Sequence, residues 1–169
     1  GFLEPVQIPA LNAAGITLTF AGAAHVHLVA SREDVDFDEV ARTIVRMAGA
    51  IASTDHAVEV ITTGTFGTIS ADQAQALATV LNELVANSVE HGLADRDGRI
   101  EVCAQRDNLS MKVTVADDGV GFVPGTPMSG LGTQIVHQVV RGELRGSIEW
   151  APREGGGTLV TLLINLDPA

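Results

Sequence analysis

The chain has 169 residues, 46% hydrophobic and 18% charged, which suits one domain with a proper core and at most a small appendage. Its net charge of −11 opposes non-specific nucleic-acid binding, because the 10 Lys and Arg residues are scattered and form no basic patch. No run approaches the roughly 18 apolar residues of a spanning helix, the first residues lack the basic-then-apolar order of a signal peptide, and the single cysteine, Cys103, excludes an internal disulfide. A cytoplasmic setting is therefore expected.

Residues 1–34 are the least legible part and read as an N-terminal linker or remnant ahead of a domain over 35–169. Gly15 to Phe20 (GITLTF) alternates like a short strand. Ala24 to Ala30, with His25 and His27 among apolar residues, reads equally as a strand or as the remnant of a helical segment. Ser31 to Asp36 is a charged loop. Glu39 to Ile51 is a helix with Val40, Ile44, Val45, Met47 and Ala48 on its apolar face and Asp36 or Asp38 as its cap. Val58 to Thr62 is a strand closed by a turn at Gly64–Gly67.

From about Asp72, Leu77, Val80, Leu81, Leu84, Val85 and Val89 recur at helical spacing. Ser70 is the expected cap of this helix, Gln73 completes a capping box, and Gly92 suits a left-handed C-terminal cap. Asp95 to Gly98 is a turn. Ile100 to Gln105 and Met111 to Val115 form an antiparallel hairpin. Asp117 to Gly132 is a loop rich in Gly and Pro, Thr133 to Val140 a short helix, and Gly146 to Trp150 and Thr158 to Asn165 the last two strands. Hairpins with helices on one face predict an α+β fold, a two-layer α/β sandwich with a mostly antiparallel sheet. Strands and helices do not alternate regularly, and no G-x-x-x-x-G-K-[ST] loop is present, which argues against doubly wound nucleotide folds.

Four stretches carry candidate chemistry. Glu83, Asn87 and His91 step by four along the long helix, a polar edge beside a core that is able to hold a metal and a phosphate chain, although a solvated face has the same pattern. Asp117 follows a strand directly; there it can accept a hydrogen bond from an amine on a heterocycle, with Gly119 and Gly121 letting the backbone approach a flat ring. A plain acidic turn is the alternative. Gly130-Leu131-Gly132-Thr133 opens a helix whose free N–H groups suit phosphates, and also suits a mere tight turn. Thr158, after Gly155–Gly157, is placed to support Asp117 or simply to follow a flexible hairpin loop.

In this order ELVANSVEHG, DDGVGF, GLGTQIV and GGGTLVTLLI resemble the GHKL (Bergerat-fold) ATP-binding superfamily as found in sensor histidine kinases, over about residues 35–169. Asn82 to Gly92 and the GELRG at Gly142–Gly146 are similar to HWE-like kinases and to soluble actinobacterial sensor kinases that signal to RNA-binding antiterminator-type regulators. The resemblance implies ATP and Mg²⁺ as cofactors. It makes Asn87 the ligand of an Mg²⁺ bridging the phosphates, Glu83 the group that activates a water or acceptor or orders the metal shell, and Asp117 the acceptor for the adenine amine. His91, Gly119, Gly121, Gly130, Leu131, Gly132 and Thr133 then line the nucleotide, Thr158 backs up Asp117, and Phe122 to Ser129 is an ATP lid.

Two departures stand out: Glu90 where a basic residue is common, and Thr133 where many relatives have Leu. No acceptor helix of H-x-x-x-N type is visible, and His25 and His27 lack its polar context. The expectation is a histidine kinase catalytic domain that transfers the ATP γ-phosphate to a histidine on a separate dimerisation and phosphoacceptor segment. A cognate response regulator is its further partner, with no direct nucleic acid and no membrane segment in this chain. The alternatives are an anti-sigma-type serine kinase of the same fold and a catalytically silent nucleotide-binding or interaction module.

Overall fold

The computed structural model describes residues 4–6, 9–21, 25–52, 56–93, 96–121 and 131–168. In chain order the elements are β1 (Glu4–Val6), α1 (Pro9–Ala13), β2 (Ile16–Ala21), β3 (His25–Ala30), β4 (Asp34–Asp36), α2 (Phe37–Ala52), β5 (Val58–Gly64), β6 (Thr68–Ser70), α3 (Ala71–Asn87), a π turn (Ser88–Gly92), β7 (Gly98–Asp107), β8 (Ser110–Asp117), α4 (Leu131–Gly142), β9 (Ser147–Pro152) and β10 (Thr158–Asn165).

The main sheet has the order β5-β7-β8-β10-β9. Its hairpin-linked neighbours run antiparallel, and so do β8 and β10. The β5–β7 pair is parallel: α3 lies between these strands in sequence, and a parallel pair needs such a crossover. Along β8, Met111, Val113, Val115 and Asp117 share the buried parity while Lys112 is exposed. The alternation that buries three apolar side chains therefore also buries Asp117, and a one-residue slip would reverse all four. In register, Asp117 stands opposite Ile100 on β7 and Thr158 on β10.

Val40, Ile44, Val45 and Ala48 of α2 are buried as their spacing requires. On α3 the buried set is wider than one stripe, since Ala74, Ala76, Ala78 and Ala86 are enclosed together with Leu77, Val80, Leu81, Leu84 and Val85. The reason is that α3 packs against α2, α4 and β3, and a helix enclosed on several sides is apolar on several sides. Residues 25–30 are a strand, the edge of a separate antiparallel sheet β1-β2-β3 whose Leu18, Phe20, Val26 and Leu28 join the common core. Gln75 fastens this sheet to α3: it accepts from the Leu28 N–H and donates to the Val26 carbonyl at 3.3 Å.

The caps follow the expectation in part. The Asp36 carboxylate accepts from the Asp38 N–H at 3.2 Å and so starts α2. Asp38 instead takes the N–H groups of Phe66 and Gly67, at 2.7 and 3.3 Å, and fixes the β5–β6 turn. Ser70 Oγ accepts from the Gln73 N–H at 3.2 Å, as a cap should. The capping box does not close. The Gln73 side chain, 2% exposed, donates to the carbonyls of Glu143 (3.1 Å) and Asn165 (2.9 Å) and accepts from the Asp167 N–H (2.8 Å). Backbone groups withdrawn from water need partners, and Gln73 supplies three of them at once.

Candidate functional site

β8 ends against the last, widened turn of the long helix. There the Leu93 N–H closes on the Ser88 carbonyl, five residues back, at 2.7 Å. Leu93 stays right-handed at φ −79, and Gly92 is absent from the glycines with positive φ. The expected left-handed cap at Gly92 is therefore not what the structure contains. Gly92 is needed for space instead: a Cβ there would lie 2.4 Å from Asp117 Oδ2. The same close approach demands Gly119, whose Cβ would lie 1.8 Å from the Gly92 carbonyl oxygen. Gly157, at φ +99, has the Asp117 carbonyl oxygen 1.9 Å from where a Cβ would be. Val120 donates its N–H to the Gly92 carbonyl at 2.7 Å, which pins the π turn to the segment after β8.

Asp117 is 2% exposed. Its Oδ1 accepts from the N–H groups of Gly119 at 3.0 Å and Thr158 at 3.3 Å. Burial pushes the carboxyl pKa above its ordinary 3.8; the bonds from Gly119 and Thr158 pull it down, and neighbouring Asp118 pushes it up. A carboxylate has about four acceptor positions. Two backbone N–H groups occupy Oδ1, and acceptor capacity remains for an incoming N–H. Thr158 thus supports Asp117 through its backbone rather than its hydroxyl. Asp118 is exposed and holds the neighbouring strand, accepting from the Arg99 N–H at 2.8 Å.

The three polar residues of the helix run outward from the core: Glu83 is buried, Asn87 half-buried and His91 exposed. Glu83 and Asn87 are one α-helical turn apart, with a rise of about 6 Å, while His91 and the exposed Glu90 lie in the π turn. Gly121 is left-handed at φ +73 and faces the Gly157 carbonyl. Leu131, Gly132 and Thr133 form the first turn of α4, and Thr133 is buried. Gly130 and the expected lid over Phe122–Ser129 lie outside the described residues, and the turn at Asp95–Gly98 is described only from Arg96. Among the described residues, no three His, Cys, Asp or Glu side chains are grouped to hold a metal ion by themselves.

Residues 72–168, from the start of α3 to just past β10, match the family of histidine kinase-, DNA gyrase B- and HSP90-like ATPases. The chain belongs to that ATPase family. Every residue placed above in the site falls inside the matched span, so the ATPase family boxes and the cluster around Asp117 are one region of the molecule. The chain is 34% identical over 137 residues to the sensor histidine kinase PdtaS of Mycobacterium tuberculosis, covering 78% of this chain and 27% of that protein. PdtaS of Mycolicibacterium smegmatis is similar to the same extent, with 28% of its length covered. The chain thus spans little more than a quarter of these curated relatives.

Among solved structures, it is similar to the histidine kinase domain of the blue-light activated kinase of Erythrobacter litoralis EL346, at 23% identity and a TM-score of 0.64 over 82% of this chain and 66% of the other. It is similar as well to the ATP binding domain of PrrB from Mycobacterium tuberculosis, at 20% identity and a TM-score of 0.64 over 80% and 97% of the two chains. These two likenesses establish the ATPase fold, with its mainly antiparallel sheet and helices. Sequence reasoning missed the reason for Gly92. It lies inside ELVANSVEHG, but only the position of β8 beside the π turn reveals what it faces.

Proposed function

We propose that the chain is the ATP-binding catalytic domain of a two-component sensor histidine kinase, with the catalytic unit over residues 35–169 and the β1–β3 sheet as an N-terminal appendage. In the intact protein it transfers the ATP γ-phosphate to a histidine on a separate dimerisation and phosphoacceptor segment, from which a cognate response regulator receives it. One observation carries this reading: a buried carboxylate at a strand end, held by two backbone N–H groups, with glycines clearing the space around it. A buried carboxylate with acceptor capacity left over favours a further N–H donor, and the exocyclic amine of adenine is such a donor.

Asp117 binds the adenine amine, and Gly119 and Gly121 allow the ring close to the backbone. The N–H groups opening α4, at Leu131, Gly132 and Thr133, are assigned to the phosphates, and Gly130 belongs to the same proposed set. In a chain of net charge −11 these backbone donors matter more than the bulk field. His91, exposed in the π turn, is assigned to the nucleotide-binding set, and the Thr158 N–H keeps Asp117 in place. Bound Mg²⁺ supplies neutralisation of the phosphate charge. Asn87, with Glu83 behind it, would hold this ion. Both offer oxygen, and an ion that keeps several waters and takes phosphate oxygens needs no three-residue protein cage. Glu83 orients the attacking acceptor or orders the shell around Asn87. Positioning and charge placement are most of what such a transfer requires. The proposed setting is the cytoplasm; no described helix is long and apolar enough to cross a membrane.

The test is calorimetric titration with a non-hydrolysable ATP analogue, with and without Mg²⁺, on the parent chain, Asp117→Asn and Asn87→Ala. Binding that disappears in Asp117→Asn and loses its Mg²⁺ dependence in Asn87→Ala is expected. Incubation with ATP and a separate acceptor-helix segment should then yield an acid-labile phosphohistidine; an acid-stable product would point to serine and overturn the histidine assignment.

A further inference from the structure

Gln73 is buried at the start of α3 and belongs to none of the roles above. Its side-chain amide donates to the carbonyls of Glu143 at 3.1 Å and Asn165 at 2.9 Å. Asn165, at the end of β10, takes the next two carbonyls of the loop that leaves α4: its backbone N–H donates to Leu144 at 3.0 Å and its side-chain amide to Arg145 at 2.6 Å. Three successive carbonyls are thus held by two residues, one on α3 and one on β10. The Leu144 N–H closes on Val139 at 3.1 Å and the Gly146 N–H on Val140 at 2.9 Å, so the loop continues the last turn of α4 as one piece. Val136 and Val140 sink α4 into the core, but apolar packing is non-directional and fixes depth rather than tilt.

We propose that Gln73 is a positioning residue for the phosphate end of the site: by tying the loop after α4 to the start of α3, it sets the tilt of α4 and so where the N–H groups of Leu131–Thr133 stand relative to Asn87. This rests on the proposed ATP reading and deepens it. The two helices pack against each other, and each carries one half of the proposed phosphate grip, the metal ligand on α3 and the backbone donors on α4. With 12 residues, α4 is about 18 Å long at a rise of about 1.5 Å per residue. A rotation of about 5° at its tied end therefore moves the other end by about 1.5 Å, enough to take an N–H···O contact out of hydrogen-bond range. The adenine end stands apart from this lever. Asp117 is on β8 and its N–H donors are those of Gly119 and Thr158, so loss of the tie loosens the phosphates and spares the base.

The experiment is calorimetric titration of the chain, with Mg²⁺ present, by adenosine and by a non-hydrolysable ATP analogue. The ratio of the two affinities reads the phosphate half of the site. Gln73→Glu keeps an oxygen for the Asp167 N–H and removes both donor bonds, and Gln73→Met removes all three at similar length without a charge. In both, the ATP analogue should lose about tenfold in affinity, the scale of one hydrogen bond to a charged group, while adenosine stays within about twofold of the parent. Asn165→Ala alters an exposed side chain and removes only the bond to Arg145; it should shrink the ratio in the same direction by about threefold, with the fold intact. Gln75→Ala, which loosens α3 from β3 instead, should leave the ratio at the parent value and so controls for lost stability. Equal losses for both ligands, an unchanged ratio in Gln73→Met and Asn165→Ala, or a shift as large in Gln75→Ala would assign Gln73 a purely structural role and overturn the inference. A parent chain that binds neither ligand, or binds both alike, would overturn the underlying ATP reading, and the positioning inference with it.

Discussion

Gly92 and Asp117 exclude each other's growth: a Cβ on Gly92 would lie 2.4 Å from Asp117 Oδ2. The end of the long helix and the end of β8 are thereby matched to within one missing methyl group. This contact binds the helix that carries Glu83 and Asn87 to the strand that carries the buried acid.

Gly92→Ala and Gly119→Ala separate two costs. In the first the new methyl meets a side-chain carboxylate, which can turn; in the second it meets the Gly92 carbonyl oxygen at 1.8 Å, which is backbone. Overpacking of this kind costs about 1–3 kcal/mol. Gly92→Ala should stay folded with a modest fall in Tm and at least a tenfold loss in ATP-analogue affinity. Gly119→Ala should lose clearly more stability. Equal Tm values for the two variants would contradict the placement of the π turn.

Asp117 and Asp167 should have opposite pH signatures. Burial raises the Asp117 carboxyl above 3.8, so the folded chain holds this proton to higher pH than the unfolded chain. Its contribution to stability is present below 3.8 and is lost as pH rises through the raised value. Asp117→Asn should therefore be at least as stable as the parent at neutral pH, with any advantage vanishing in acid, while the parent loses nucleotide on acidification before ordinary carboxylates protonate. Arg145, then Ser70, hold Asp167 below 3.8, so its stabilisation is present above that value and is lost as pH falls through the lowered one. This Arg145–Asp167 pair is partly exposed, so Asp167→Asn should have a small, salt-sensitive effect. Chemical unfolding at several pH values checks both signs; a strongly destabilised Asp117→Asn at neutral pH would refute the first.

Gln73→Ala should be among the costliest polar truncations. It leaves the Glu143 and Asn165 carbonyls and the Asp167 N–H without their partner. A loss of about 2–4 kcal/mol is expected from three such bonds in a buried place. A change in urea midpoint no larger than that of an exposed Gln→Ala control would refute the clamp.

Gln75→Ala tests how the N-terminal sheet is attached. Gln75 bonds Leu28 and Val26 on the edge of β3 and also Thr79 on its own helix, the last at 3.0 Å. Amide hydrogen exchange should speed up across β2 and β3 and stay unchanged in β7, β8 and β10. Uniform acceleration over the chain would mean that the sheet does not open by itself.

Features that depend on near neighbours are legible in the sequence. The helical spacing of α3, the Ser70 cap and the β7–β8 hairpin rest on residues within a few positions of one another, and the order of the four glycine and acidic boxes rests on identity alone. Other features join distant segments. Gln73 satisfies a box pattern locally, yet its partner Asp167 is 94 positions away. The N–H that steadies Asp117 comes from 41 positions downstream.

Gly92 reads as a left-handed cap because Gly after a helix usually is one, but the widened turn needs no positive φ and the glycine answers to a carboxylate across the fold. Six mixed residues at 25–30 do not distinguish strand from helix; α3 decides for a strand, because it offers both a core face and Gln75. The sequence by itself determined the helices α2, α3 and α4 and the strands of the main sheet, and that the chain has the boxes of an ATPase. Only the tertiary structure decided which groups meet at Asp117, because burial creates the demand for hydrogen-bond partners and packing alone says which ones are within reach.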